Sequence, residues 1–343
     1  MRVKKKIIAN LKKAYCVAPL QYHGVPHILV ASEKNHECLL FDRSGNQKDV
    51  VWSGPGGTMS MVQLPDSEGA FLATQRFYSP NDSKQSEIVL VTPKPGGGWQ
   101  CDALIHIPHI HRFDILTRRT AHYLIVCTIC SGRDYKDDWS YPGEVYVCQL
   151  PDEISGTTRL TLSRLMTGLY KNHGYFRWEQ NGESSAFVTA NEGVFHIVPP
   201  ESPNKNWETK QIVDIAASDV LMADLDNDGR EEMVLFSPFH GDNLLVYKQI
   251  GHRWKIVYHH PLKMEFLHAL CKGTIDGASC AIIGHRKGNA ELILLRYENG
   301  YFTTQVIDNG FGPANVSFFT GKDDDFIVAA NRETDQVALY TLL

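Results

Sequence analysis

No stretch of this chain approaches the roughly 18 to 20 consecutive apolar residues that a membrane helix needs, and no helical period of apolar positions persists along it. A basic excess is also missing. With 34 Lys and Arg against 39 Asp and Glu, the net charge is −5, which argues against nucleic acid as a partner, since phosphate-backbone binders carry a basic face or tail. Lys4, Lys5, Lys6, Lys12 and Lys13 crowd the N-terminal region, but the apolar stretches beside them are too short for a signal-peptide core. Paired cysteines are equally hard to find. The eight cysteines are scattered like small buried hydrophobes in a reducing compartment, so a cytoplasmic location is expected. Gly54-Pro-Gly-Gly57 and Gly96-Gly-Gly98 lack the Lys-Ser/Thr of a phosphate loop and read as turns. No Gly-x-Ser-x-Gly elbow occurs. Cys127 and Cys130 are three apart on a strand and point to opposite faces, which removes a redox or zinc knuckle.

What the chain does have is a repeat. Short apolar, β-branched runs recur at Ile28 to Ser32, Phe71 to Gln75, Leu124 to Thr128, Phe187 to Asn191, Met233 to Ser237, Ala281 to His285 and Ile327 to Asn331. Each is followed, after a polar or Gly-bearing turn, by an alternating strand such as Glu87 to Val91 or Leu244 to Lys248, the pattern of a hairpin. A further strand precedes several of these runs, and a more polar one follows the hairpin. Four strands per unit and seven units define an all-β, seven-bladed β-propeller. The units fall at approximately 14–54, 55–108, 109–168, 169–215, 216–261, 262–309 and 310–343, in one domain over 1–343. The last unit has only three strands of its own, which would leave an open edge. Val3 to Asn10 is expected to supply the fourth, so that the N-terminal strand closes the ring against the C-terminal blade. Insertions at Phe77 to Ser86 and Ser131 to Pro142 lengthen two units between their second and third strands, and loops of that length usually carry function.

The sharpest motif is Asp224-Leu-Asp226-Asn-Asp228-Gly229-Arg-Glu-Glu232. Carboxylates two residues apart, a glycine that permits a tight turn, and a glutamate reaching back gather the hard oxygen ligands that Ca²⁺ prefers. Asp224, Asp226, Asp228 and Glu232 are therefore the candidate ligands of a structural Ca²⁺, held in a loop between two strands of one blade. The stretch VLMADLDNDGREEMVLFSPF resembles the repeat of FG-GAP and VCBS-type propellers, and that resemblance implies calcium bound between blade strands. The last blade's turn, 321–325, departs from the family spacing. A more distant similarity, through the same strand followed by Ser237-Pro-Phe-His-Gly-Asp242, is to the propeller domain of aldos-2-ulose dehydratase, and it implies sugar chemistry.

Alignment of the seven units exposes a second constellation at one mouth of the channel. The entries to the inner strands carry His111, His173, Asp219, His268 and Asn315. The ends of the second strands and the residues just beyond them supply Arg76, Glu192, His240, His285, Arg286, Asn331 and Arg332 as candidate ligand-binding groups. Mixed imidazole, carboxylate and guanidinium suit a small polyhydroxylated or anionic ligand. Three histidines from separate blades, His111, His173 and His268, are the candidate catalytic residues, as acid/base groups or as ligands of a divalent transition metal. The expected activity is that of a lyase or isomerase on a sugar or sugar-derived carbonyl compound. The alternative is a non-catalytic propeller that binds a protein or glycan through its rim, since fold alone does not fix function.

Overall fold

The computed structural model describes residues 1–202, 205–321 and 324–343; residues 322 and 323, within the 321–325 segment named above, lie outside them. Among the described residues every regular element is a β-strand, and the 28 strands form seven antiparallel sheets of four. Among the described residues no helix is long and apolar enough to cross a membrane. The seven innermost strands are Ala14–Tyr22, Met61–Gln63, Ile110–Arg118, Tyr175–Gln180, Asp219–Ala223, Leu267–Ile275 and Pro313–Phe319.

The second strand of each blade is sandwiched between neighbouring blades, which is why it reads as an unbroken apolar run instead of an alternating one. Phe71–Gln75, Glu232–Ser237 and Phe326–Asn331 are buried along their whole length. The outermost strand Tyr301–Asp308 is partly in solvent along its length, and half of its residues are polar. Blade-to-blade contacts form the core: Leu221, Val234 and Val246 of one blade pack with Ala281, Ile283 and Ile293 of the next.

The ring closes as expected. Val3–Asn10 pairs antiparallel with Gln336–Leu342, from Val3 opposite Leu342 to Asn10 opposite Gln336. Ile8 and Ala9 pack against the cluster built on Val328, Val337 and Leu339, so the seam is apolar as well as hydrogen-bonded. All eight cysteines are free, and the buried Cys127 and Cys130 serve as packing.

Candidate functional site

One local device delivers most of the central residues. In four blades the pairing of the two inner strands slips by one residue, between Ala14 and Cys16, Ile110 and Arg112, Leu267 and Ala269, and Pro313 and Asn315. A bulge re-aims the extra residue, and here the extra residues are Tyr15, His111, His268 and Ala314. Three are site groups. The fourth supplies a backbone carbonyl to one of them.

His173, His240 and His268 converge: one ring nitrogen from each lies within 4.8 Å of the others. His173 Nδ1 faces the Ser218 carbonyl at 3.2 Å and Asp219 Oδ2 at 3.1 Å. His268 Nδ1 faces the Ala314 carbonyl at 2.6 Å. A carbonyl only accepts, so both Nδ1 atoms carry a proton, which leaves Nε2 as the nitrogen each ring can offer to a ligand. His240 Nε2 stands 3.3 Å from His173 Nε2. Burial, then the neighbouring His173, holds His240 well below the usual imidazole pKa. Burial, then Arg286, does the same for His268. Three imidazoles that bring one nitrogen each to a common point are the donor set that Zn²⁺, Mn²⁺ or Fe²⁺ accepts.

His240 replaces His111 in the expected trio. His111 is buried nearby, with its ring 4.5 Å from that of His173, but its Nδ1 is directed to the His173 carbonyl at 3.0 Å and its other nitrogen does not join the converging group. It backs His173. His240 reaches the centre because its backbone turns over with a φ of 49°, in a turn where a side chain on Gly241 would meet Pro238 at 2.4 Å. The imidazole is then sandwiched between Phe239 and Phe266, with ring centroids 3.8 and 4.2 Å away. Arg286 lies 4.6 Å from the Phe266 ring and Lys171 5.4 Å from that of Phe239, a cationic rim against an aromatic cover. Trp139 of the second insertion meets Phe239 edge-on at 5.1 Å. Asn81 Oδ1 of the first insertion accepts from Arg133 at 2.9 Å and from the Asp137 N–H at 3.1 Å. The two inserted loops are thus tied together, and the second extends to the mouth.

The other rim residues pair locally. Arg76 bonds Glu87 at 2.6 Å, and Glu192 accepts the Tyr170 N–H at 2.8 Å. His285 faces Glu291 at 3.3 Å within its own blade. Arg286 pairs with Glu333 at 2.6 Å, while Arg332 bridges Glu33 and Glu333. Asn331 reaches Tyr340 at 3.4 Å. Of the rim set, His240 joins the centre. Sequence reasoning did not single out Tyr15, whose hydroxyl is 3.3 Å from His268 Nε2. Burial pushes its pKa up to about 12, so it remains a proton donor at neutral pH.

In the acidic loop, Asp224, Asp226 and Glu232 place carboxylate oxygens within 4.8 Å of one another. Asp224 accepts the N–H groups of Asp228 at 3.1 Å and Gly229 at 3.0 Å, which folds the loop. Between the other carboxylates lies the Lys248 ammonium, 2.5 Å from Asp226, 2.9 Å from Asp228 and 2.8 Å from Glu232. A Ca²⁺ here would have to displace that lysine.

One further buried histidine, outside the cluster, adds to the acid sensitivity of the fold. His109 is buried with Nδ1 2.7 Å from Ser83 Oγ, and burial lowers its pKa to about 4. Below about pH 6.5 the unfolded chain takes up a proton that the folded chain refuses. The contribution of His109 to stability is therefore intact above pH 6.5 and is lost as the pH falls toward 4. His109→Asn should show a smaller drop in urea midpoint between pH 7 and pH 5 than the parent protein; equal drops would show that this residue does not add to the acid sensitivity.

No family model and no curated protein matches the chain. Solved structures do. The chain is similar to BBS1N in its complex with ARL6DN, at 12% identity and a TM-score of 0.63, covering 100% of this chain and 96% of that one. It is similar to the Swd1 propeller domain of Myceliophteria thermophila, at 7% identity and a TM-score of 0.62, covering 99% and 100%. A periplasmic gluconolactonase of Pseudomonas aeruginosa, PpgL, matches at 14% identity and a TM-score of 0.63, covering 91% of each chain. At these identities the likeness establishes the class, a β-propeller, and the fold alone.

Proposed function

We propose that this propeller is a metal-assisted enzyme acting on a small sugar-derived carbonyl compound at the channel mouth, as a lyase or isomerase. The observation that carries the reading is the pinning of His173 and His268 through Nδ1 while their Nε2 lone pairs converge with His240. Three imidazoles from separate blades that bring one nitrogen each to a common point, two of them held through Nδ1, form the arrangement a divalent cation is held by. A bound ion at this position would polarise a substrate carbonyl. The chain's own groups do the rest. Asp219 fixes the orientation of the His173 ring, and Tyr15 holds a proton beside His268 for transfer to a substrate oxygen. Phe239, Phe266 and Trp139 limit water at the mouth. The gluconolactonase among the structural neighbours lends support to a sugar-derived substrate, as a matter of shared fold. BBS1N, solved in complex with ARL6DN, keeps a protein-binding rim as the second reading, favoured by the tied insertion loops.

The test is metal content and turnover together. Protein dialysed against Zn²⁺, Mn²⁺ or Fe²⁺ should retain one ion per chain. It should then convert at least one member of a panel of aldoses, ketoses and aldonolactones, and chelation should stop the conversion. Protein that retains no ion of any of the three would sink the proposal.

A further inference from the structure

The innermost strands of all seven blades enclose a cavity of about 190 Å³ next to the imidazole cluster, and His268 belongs to both. Its polar lining comes from Ser60, Arg112, Tyr175, Asp219, His268 and Asn315. Asp219 is already engaged, with His173 and with the Ser218 hydroxyl. Arg112 is not. It follows the His111 bulge, which lets two successive residues turn toward the axis. Among the described residues no ion pair includes Arg112, and the one hydrogen bond from its side chain goes to the Met59 carbonyl at 2.9 Å. The rim arginines Arg76, Arg286 and Arg332 each have a carboxylate partner.

A guanidinium is always charged and presents five donors in a planar fork. Half-buried and satisfied through a single donor, Arg112 leaves most of that fork for something that enters the cavity. The matching group is a carboxylate, which takes two parallel N–H bonds from such a fork. A phosphate dianion fits less well, because one guanidinium beside Asp219 does not balance two negative charges. The cavity is smaller than the roughly 300 to 1,000 Å³ of drug-sized sites, so the acid must be small.

We infer that Arg112 is the carboxylate anchor of this site and that its substrate is a small hydroxy or sugar acid, held with its hydroxyl or carbonyl end toward His173, His240 and His268. The substrate class rests on the metal-site reading above; the anchor itself does not. Calorimetric titration of chelator-treated protein tests it, with glycerate and gluconate as probes against glycerol and sorbitol, their neutral counterparts, and inorganic phosphate as a third probe. The acids should bind and the polyols should not, and Arg112→Met should weaken acid binding about tenfold or more. Arg112→Lys keeps the charge but loses the fork, should also weaken it, and decides the matter if the methionine variant does not fold. The inference is overturned if no acid binds at about 10 mM, where even a weak complex registers. It is equally overturned if acids and polyols bind alike, if phosphate binds more tightly than either acid, or if acid affinity is unchanged in the variants. Zn²⁺ content measured on the same preparations keeps the two readings separate: acid binding that depends on Arg112 in a chain that holds no metal would retain the anchor and remove the metal site.

Discussion

On the proposed metal-site reading, replacing His268 with glutamine should abolish retention of a divalent ion and with it turnover, whereas the same change at His111 should leave one ion per chain. The contrast follows from which nitrogens are free. His268 offers Nε2 to the converging point because Ala314 holds Nδ1, while His111 spends its Nδ1 on the His173 carbonyl and stands outside the group. A glutamine at position 268 keeps a polar side chain but offers an amide in place of an imidazole lone pair. Asp219→Asn gives the intermediate case. It weakens the acceptor that orients His173 without removing a ligand, and the expected loss in metal affinity is about 10- to 100-fold. Zn²⁺ titration with a competing chromophoric chelator reads all three. If His111→Gln loses the ion as completely as His268→Gln, the trio is wrongly assigned, and equal retention in both would mean that no imidazole site exists.

The difference between the expected trio and the observed one shows what a repeat pattern conveys. Blade alignment located His173, Asp219 and His268, because each opens an inner strand at the same point of its unit. The buried second strands were equally legible, since burial on both faces writes an uninterrupted apolar run. The inner strand Tyr175–Gln180 was harder to find, because YFRWEQ mixes charged residues into a short segment and its Arg177 pairs across blades with Asp114. His240 looked like one rim group among several. Its role depends on a left-handed backbone angle in a turn, which residue spacing does not encode. Tyr15 and Arg112 sit at or beside bulges, and a one-residue slip in register reverses the side of the strand on which a residue is expected. The acidic loop was found by its spacing, but the partner of its carboxylates, Lys248, lies on another strand 22 residues from Asp226, where no local motif could indicate it.

That lysine carries the second large effect, this time on stability. Lys248→Met should destabilise the protein by about 3 kcal/mol, since it leaves the fully buried Glu232 without its counter-charge, while Asp226 and Asp228 are partly solvated and add little. The ammonium lies within ion-pair distance of three carboxylates and hydrogen-bonds Asp226 Oδ2. Glu232 is fully buried and also holds the Leu225 N–H at 2.8 Å. Without the lysine it must either accept a proton or remain a buried anion beside Asp226, and burial already raises its pKa in the intact loop. For a chain of this length the melting temperature should fall by about 4 °C. The methionine variant also frees Asp226, Asp228 and Glu232 together with Asp224, the oxygen set that suits Ca²⁺. Millimolar Ca²⁺ should therefore restore much of the lost stability in the variant and have little effect on the parent, where an ion must first displace Lys248. A variant as stable as the parent in chelator would show that the lysine is not the cation that holds the loop. Equal stabilisation of both proteins by Ca²⁺ would instead show that the metal binds without displacing it.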